Sequence, residues 1–78
     1  MNINYALRLA IRKVLEQNQW RYMSAVEIRT AMHGLTPPQD FTEQQIALSI
    51  HQFLRGIHND YEIKFDEERN INLYRIAI

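Results

Sequence analysis

The chain contains no cysteine, only two glycines and only two prolines in 78 residues. Without thiols there is no disulfide framework, no zinc ribbon and no thiol catalysis. Gly34 and Gly56 are the whole glycine complement, so a glycine-rich phosphate loop is excluded. No apolar run approaches the length needed to span a bilayer. The opening Met1-Asn2-Ile3-Asn4 has neither a basic run nor a following apolar block, so no signal peptide is read and a cytoplasmic chain is expected. Net charge is missing too, with nine Lys+Arg against nine Asp+Glu. A dedicated nucleic-acid binder usually carries a basic excess. At 46% hydrophobic residues, the composition is that of a globular domain, and 78 residues make one domain, spanning 1–78.

The zero balance conceals an asymmetry. Residues 1–34 hold Arg8, Arg12, Lys13, Arg21 and Arg29 against Glu16 and Glu27, a net +3. Residues 35–78 hold Arg55, Lys64, Arg69 and Arg75 against Asp40, Glu43, Asp60, Glu62, Asp66, Glu67 and Glu68, a net −3. Any basic surface is therefore local.

Apolar residues at Ile3, Leu7, Ala10, Ile11, Val14 and Leu15 predict a helix over 3–17, capped by Asn2 or Asn4 and stopped at Asn18. Arg8, Arg12, Lys13, Glu16 and Gln17 fill its other side. Ser24-Ala25-Val26-Glu27 fits a capping box, with Met23 and Ile28 as its hydrophobic staple. A second helix over 25–33 follows, with Gly34 expected to end it in the left-handed conformation. After Pro37-Pro38 the same signal recurs as Thr42-Glu43-Gln44-Gln45, flanked by Phe41 and Ile46, and predicts a third helix over 43–57. Its apolar face is Ile46, Ala47, Ile50, Phe53, Leu54 and Ile57; its polar face is Gln44, Gln45, Leu48, His51, Gln52 and Arg55.

From Tyr61 the period changes to two, with Tyr61, Ile63 and Phe65 alternating with charged residues in a half-buried strand. Glu67-Glu68-Arg69-Asn70 reads as a turn into a second strand over 71–78. Ile71 and Leu73 share one parity there and Tyr74, Ile76 and Ile78 the other, so either a bulge near Leu73-Tyr74 or burial on both sides is required. Trp20 and Tyr22 are expected beneath these strands. The apolar end, Tyr74 to Ile78, reads as a core strand, with a dimer edge as the alternative.

Ala10-Ile11-Arg12-Lys13-Val14-Leu15, then Met23-Ser24-Ala25-Val26-Glu27-Ile28, the helix over 43–57 and the hairpin closing at Tyr74-Arg75-Ile76 together resemble a winged helix–turn–helix domain. The resemblance implies an α+β fold: three helices, a short strand after the first, and a C-terminal β-hairpin wing. It makes 43–57 the recognition helix. Two features depart from it: the long connector from Gly34 to Phe41, and a wing tip, Asp66-Glu67-Glu68-Arg69, with net charge −2. Three carboxylates there do not suit a phosphate backbone.

No catalytic constellation is present, and an enzyme is not expected. His51 and His58 are seven residues apart, about 10.5 Å along a helix, too far for one ion. His33 stands alone at the end of the second helix, so the histidines read as surface and capping residues and no metal or cofactor is expected. Glutamine and arginine are the types that read adenine and guanine edges. The DNA-binding candidates are therefore Gln44, Gln45, Leu48, Gln52 and Arg55, with Ser49 on a phosphate and Arg8, Arg12 and Lys13 on the backbone. Double-stranded DNA contacted in the major groove, by a small regulator acting as a homodimer, is the leading expectation. A winged-helix module that binds a protein partner is the alternative, favoured by neutral charge, the acidic wing and Leu48.

Overall fold

The computed structural model describes residues 3–54 and 61–77. Its elements are α1 (Ile3–Gln17), α2 (Ala25–Met32), α3 (Glu43–Leu54), β1 (Tyr61–Asp66) and β2 (Ile71–Ile76). The architecture is α+β: three helices and a C-terminal antiparallel hairpin closed over one core. Positions 55–57, expected to complete the third helix, lie outside the described residues, as do Ile78 and the side chains of Asn2 and Asn4.

Local chemistry sets where each helix begins. Ser24 Oγ accepts from the Glu27 amide at 3.1 Å, and Glu27 Oε1 accepts from the Ser24 amide at 3.1 Å. Thr42 and Gln45 repeat the exchange at 3.1 and 2.9 Å. Both boxes satisfy amide donors that have no partner within the helix. The flanking Met23, Ile28, Phe41 and Ile46 are all buried. Asn18 ends α1, its side-chain amide donating to the Val14 carbonyl at 2.7 Å.

The end of α2 departs from expectation. Gly34 is not left-handed, and the C-cap, His33, is right-handed at φ −64°. Three tight bonds close the helix instead: His33 to Thr30, Gly34 to Ala31 and Leu35 to Met32, at 3.0–3.2 Å. The Gln39 amide adds a fourth, to Met32, at 3.0 Å. With these carbonyls satisfied, no left-handed residue is required.

The hairpin pairs Tyr61 with Ile76 through Asp66 with Ile71 in unbroken register. There is no bulge; both parities of β2 are buried, Tyr74 and Ile76 against the helices and Leu73 on the opposite face. That opposite face holds Glu62, Lys64, Leu73 and Arg75, and Tyr22 lies over it: the Arg75 guanidinium is 4.4 Å and the Lys64 ammonium 5.8 Å from its ring. Trp20, by contrast, is 76% exposed, its ring met by the Arg21 guanidinium at 5.6 Å rather than by the strands. Asn70 turns the chain at φ 56°, a conformation asparagine tolerates. The strand expected after α1 is reduced to a single bridge, in which Met23 and Tyr74 exchange two backbone bonds of 2.7 Å.

The core joins Leu7, Ala10, Ile11, Val14 and Leu15 of α1 to Ile28 and Met32 of α2, Ile46 and Ile50 of α3, and Tyr61, Tyr74 and Ile76 of the hairpin.

Two results follow for chemical denaturation. Ser24→Ala and Thr42→Ala should each destabilise by about 1 kcal/mol. Gly34→Ala should be neutral or stabilising by up to about 1 kcal/mol, because the added Cβ meets only the Ala31 carbonyl at an ordinary 3.5 Å. A left-handed Gly34 would instead make that change clearly destabilising.

Candidate nucleic-acid interface

With Ile46 and Ile50 buried in the core, the opposite side of α3 faces solvent. Gln44, Leu48 and Gln52, four residues apart, form an exposed stripe there. It runs about 12 Å along the axis at 1.5 Å per residue. Leu48, in its middle, is 63% exposed.

Three other candidates on this helix are placed differently. Gln45 is exposed, but its side-chain oxygen is held by the Thr42 amide, so it serves the helix start. Ser49 is only 8% exposed. It lies three residues beyond Ile46, on the flank of the buried stripe, and its hydroxyl is not presented to a phosphate. Arg55 lies outside the described residues.

His51, expected on the polar face, is half-buried. Its Nε2 lies 3.1 Å from the Tyr74 hydroxyl, and the rings meet edge to face at 5.7 Å. Burial raises the Tyr74 hydroxyl above its ordinary pKa, with a hydrogen bond from Asn72 opposing the shift. This pair was hidden in the sequence because it joins residues 23 positions apart.

Arg8, Arg12 and Lys13 are exposed on α1 beside Tyr5 and Leu9. Helices α1 and α3 both turn their apolar faces into the one core. Arg12 is moreover paired with Glu16 at 2.8 Å.

Carboxylates hold most of the other described cations. Arg21 pairs with Glu27 at 3.2 Å, Arg29 with Asp40 at 3.2 Å and Arg75 with Glu62 at 2.6 Å. At the hairpin turn Arg69 donates to Asp66 at 2.8 Å, and Asp66 also accepts from the Glu68 and Arg69 amides. Glu67 and Glu68 are left exposed at the tip. Among the described residues no group of histidines and carboxylates is arranged to hold a metal ion, and no helix is long and apolar enough to cross a membrane.

Three carboxyls sit below their ordinary range: Asp40 through hydrogen bonds from His33 and Arg29, Glu62 through those from Arg75 and Tyr22, and Asp66 through that from Arg69. Comparison of the chain with protein-family models, with curated proteins and with solved structures finds no match.

A carboxyl depressed by folding contributes stability that is complete above its unfolded pKa and is lost as the pH falls through its folded one. The urea midpoint should therefore be flat from pH 7 to about 5 and decline below about 4, the ordinary carboxylate range. All three groups face solvent, so the decline should shrink at high salt. Arg75→Gln should remove most of the Glu62 share of it, the Tyr22 hydrogen bond keeping the rest, which denaturation at pH 3 and pH 6 checks.

Proposed function

We propose that this chain is a winged-helix domain that reads duplex DNA in the major groove with the exposed Gln44, Leu48 and Gln52 of α3. The observation that carries this reading is the stripe itself: two glutamine amides flanking a leucine, at one-turn spacing, on a helix held by a capping box at its start and by His51–Tyr74 along its length. The major groove is about 12 Å wide and admits a helix. Glutamine pairs in bidentate fashion with adenine N6 and N7, and an apolar side chain meets the thymine methyl. The stripe therefore favours a short A·T-containing site, about four base pairs long at 3.4 Å each.

Sequence reading here rests on base edges more than on phosphates. The acidic wing tip stays off the backbone, and five arginines are held in ion pairs. A second reading, a winged-helix module that docks a protein, is favoured by the same ion pairs together with the exposed Leu48.

Selection from a randomised duplex pool at roughly 50 mM salt, followed by anisotropy titration, separates the two. An enriched A·T-containing motif is expected. Gln44→Ala and Gln52→Ala should each weaken it by about 1–3 kcal/mol. With at most Arg8, Arg12, Lys13 and Arg55 on phosphates, four per protomer, the salt slope should be no steeper than about −4, at −0.9 per phosphate neutralised. Replacing Glu67 and Glu68 with Gln should leave affinity unchanged or slightly raised. If no duplex is enriched, DNA reading fails and the protein-docking reading takes its place.

A further inference from the structure

Strand β1 has an open backbone edge. Tyr74 exchanges its amide and carbonyl with Met23, so both point away from β1. These groups alternate sides along a strand, so Leu73 and Arg75 are the residues that bond to Lys64 and Glu62. Ile63 and Phe65 therefore turn their amides and carbonyls outward, where no backbone group of the described residues meets them. Met23 covers the far edge of β2 at Tyr74, but β1 pairs with β2 alone. Phe65, on this edge, is 52% exposed.

We propose that a second copy of this chain pairs with this edge, the two β1 strands running antiparallel about a two-fold axis at Ile63. The two hairpins then form one four-stranded sheet. Side-chain charge selects both the partner and the register. With the axis at Ile63, each Ile63 exchanges two backbone bonds with Ile63 of the other copy. Glu62 stands directly across from Lys64 of the other copy, and Lys64 from Glu62, two opposite-charge pairs. Glu62 has an oxygen for this contact. Arg75 and Tyr22 both donate to its Oε2, which leaves Oε1 for the incoming ammonium. Sliding one strand by two residues sets Glu62 against Glu62 in one direction and Lys64 against Lys64 in the other. Charged side chains on an edge strand ordinarily oppose pairing. Here their alternation makes β1 complementary to its own reverse, in the register centred on Ile63. On the other face the same register sets Phe65 against Tyr61 of the other copy, a cross-strand aromatic pair that covers the exposed ring. The arrangement is isologous, as a closed dimer requires. One short strand from each copy makes a small interface, so the dimer is a weak one.

This inference does not depend on DNA reading, because none of the residues it uses lies on α3. Sedimentation of the intact chain should show the average mass rising with concentration from 9.4 kDa toward twice that value. Over the same range, hydrogen exchange followed by NMR should show the Ile63 amide gaining protection. The Lys64 amide, already bonded to β2, should be protected throughout. Lys64→Glu sets like charges across both pairs and should weaken the dimer about tenfold. Lys64→Gln removes the pairs without adding repulsion and should weaken it about threefold. Glu67→Gln, in the hairpin turn, is the control and should leave it unchanged. A mass that stays monomeric to about 1 mM, dimerisation without protection of Ile63, or undiminished association of both Lys64 variants would each overturn the proposal.

Discussion

Tyr74 is the residue through which the helices and the hairpin hold one another. Its backbone exchanges two 2.7 Å bonds with Met23, the residue before the Ser24 cap of α2. Its side chain is buried in the core, and its hydroxyl meets His51 on α3. That hydroxyl also takes a hydrogen bond from Asn72, and its contact with His51 ties α3 to β2. With His51 held toward β2 and Ile46 and Ile50 in the core, Gln44, Leu48 and Gln52 are left facing solvent. The candidate reading surface is thus a consequence of how one tyrosine is buried.

Electrostatics gives the molecule its second constraint. A chain with equal numbers of cations and carboxylates has little charge to spare, and the fold distributes it as pairs: Arg12–Glu16 along α1, Arg29–Asp40 between α2 and the connector, Glu62–Arg75 across the hairpin and Asp66–Arg69 within its turn. These pairs are mostly exposed and each contributes little to stability. Their larger effect is on binding, because paired arginines offer a phosphate backbone less than free ones do. The surface that stands out on α3 is consequently uncharged, the Gln44–Leu48–Gln52 stripe.

The helix starts were legible in the sequence because capping is local chemistry. Ser24 with Glu27, and Thr42 with Gln45, need only a spacing of three and a β-region residue before the first turn. The alternation of Tyr61, Ile63 and Phe65 located β1 for the same reason, since a pleat repeats every two residues. The stop of α2 falls where the sequence placed it, but the left-handed turn expected there does not form, because Gly34 permits such a turn without requiring one. Whether the turn forms depends on the partners of the last carbonyls, among them the Gln39 amide beyond the two prolines.

The sequence by itself determined the elements, their order and which side of each helix is apolar, because all three depend on neighbours within one turn or one pleat. Only the tertiary structure decided which polar residues remain available. Gln45 is taken by the Thr42 amide, Ser49 turns onto a buried flank, His51 is drawn under Tyr74 and Trp20 is left in solvent while Tyr22 covers the hairpin. Apart from the Gln45 contact, itself part of the capping box, these outcomes depend on pairs that are distant in the chain and on the register of the hairpin. The period-two pattern allowed a bulge or an unbroken ladder equally. The ladder formed because Tyr22 covers the outer face of β2 while the helices cover the inner one, so both parities are buried without an extra residue.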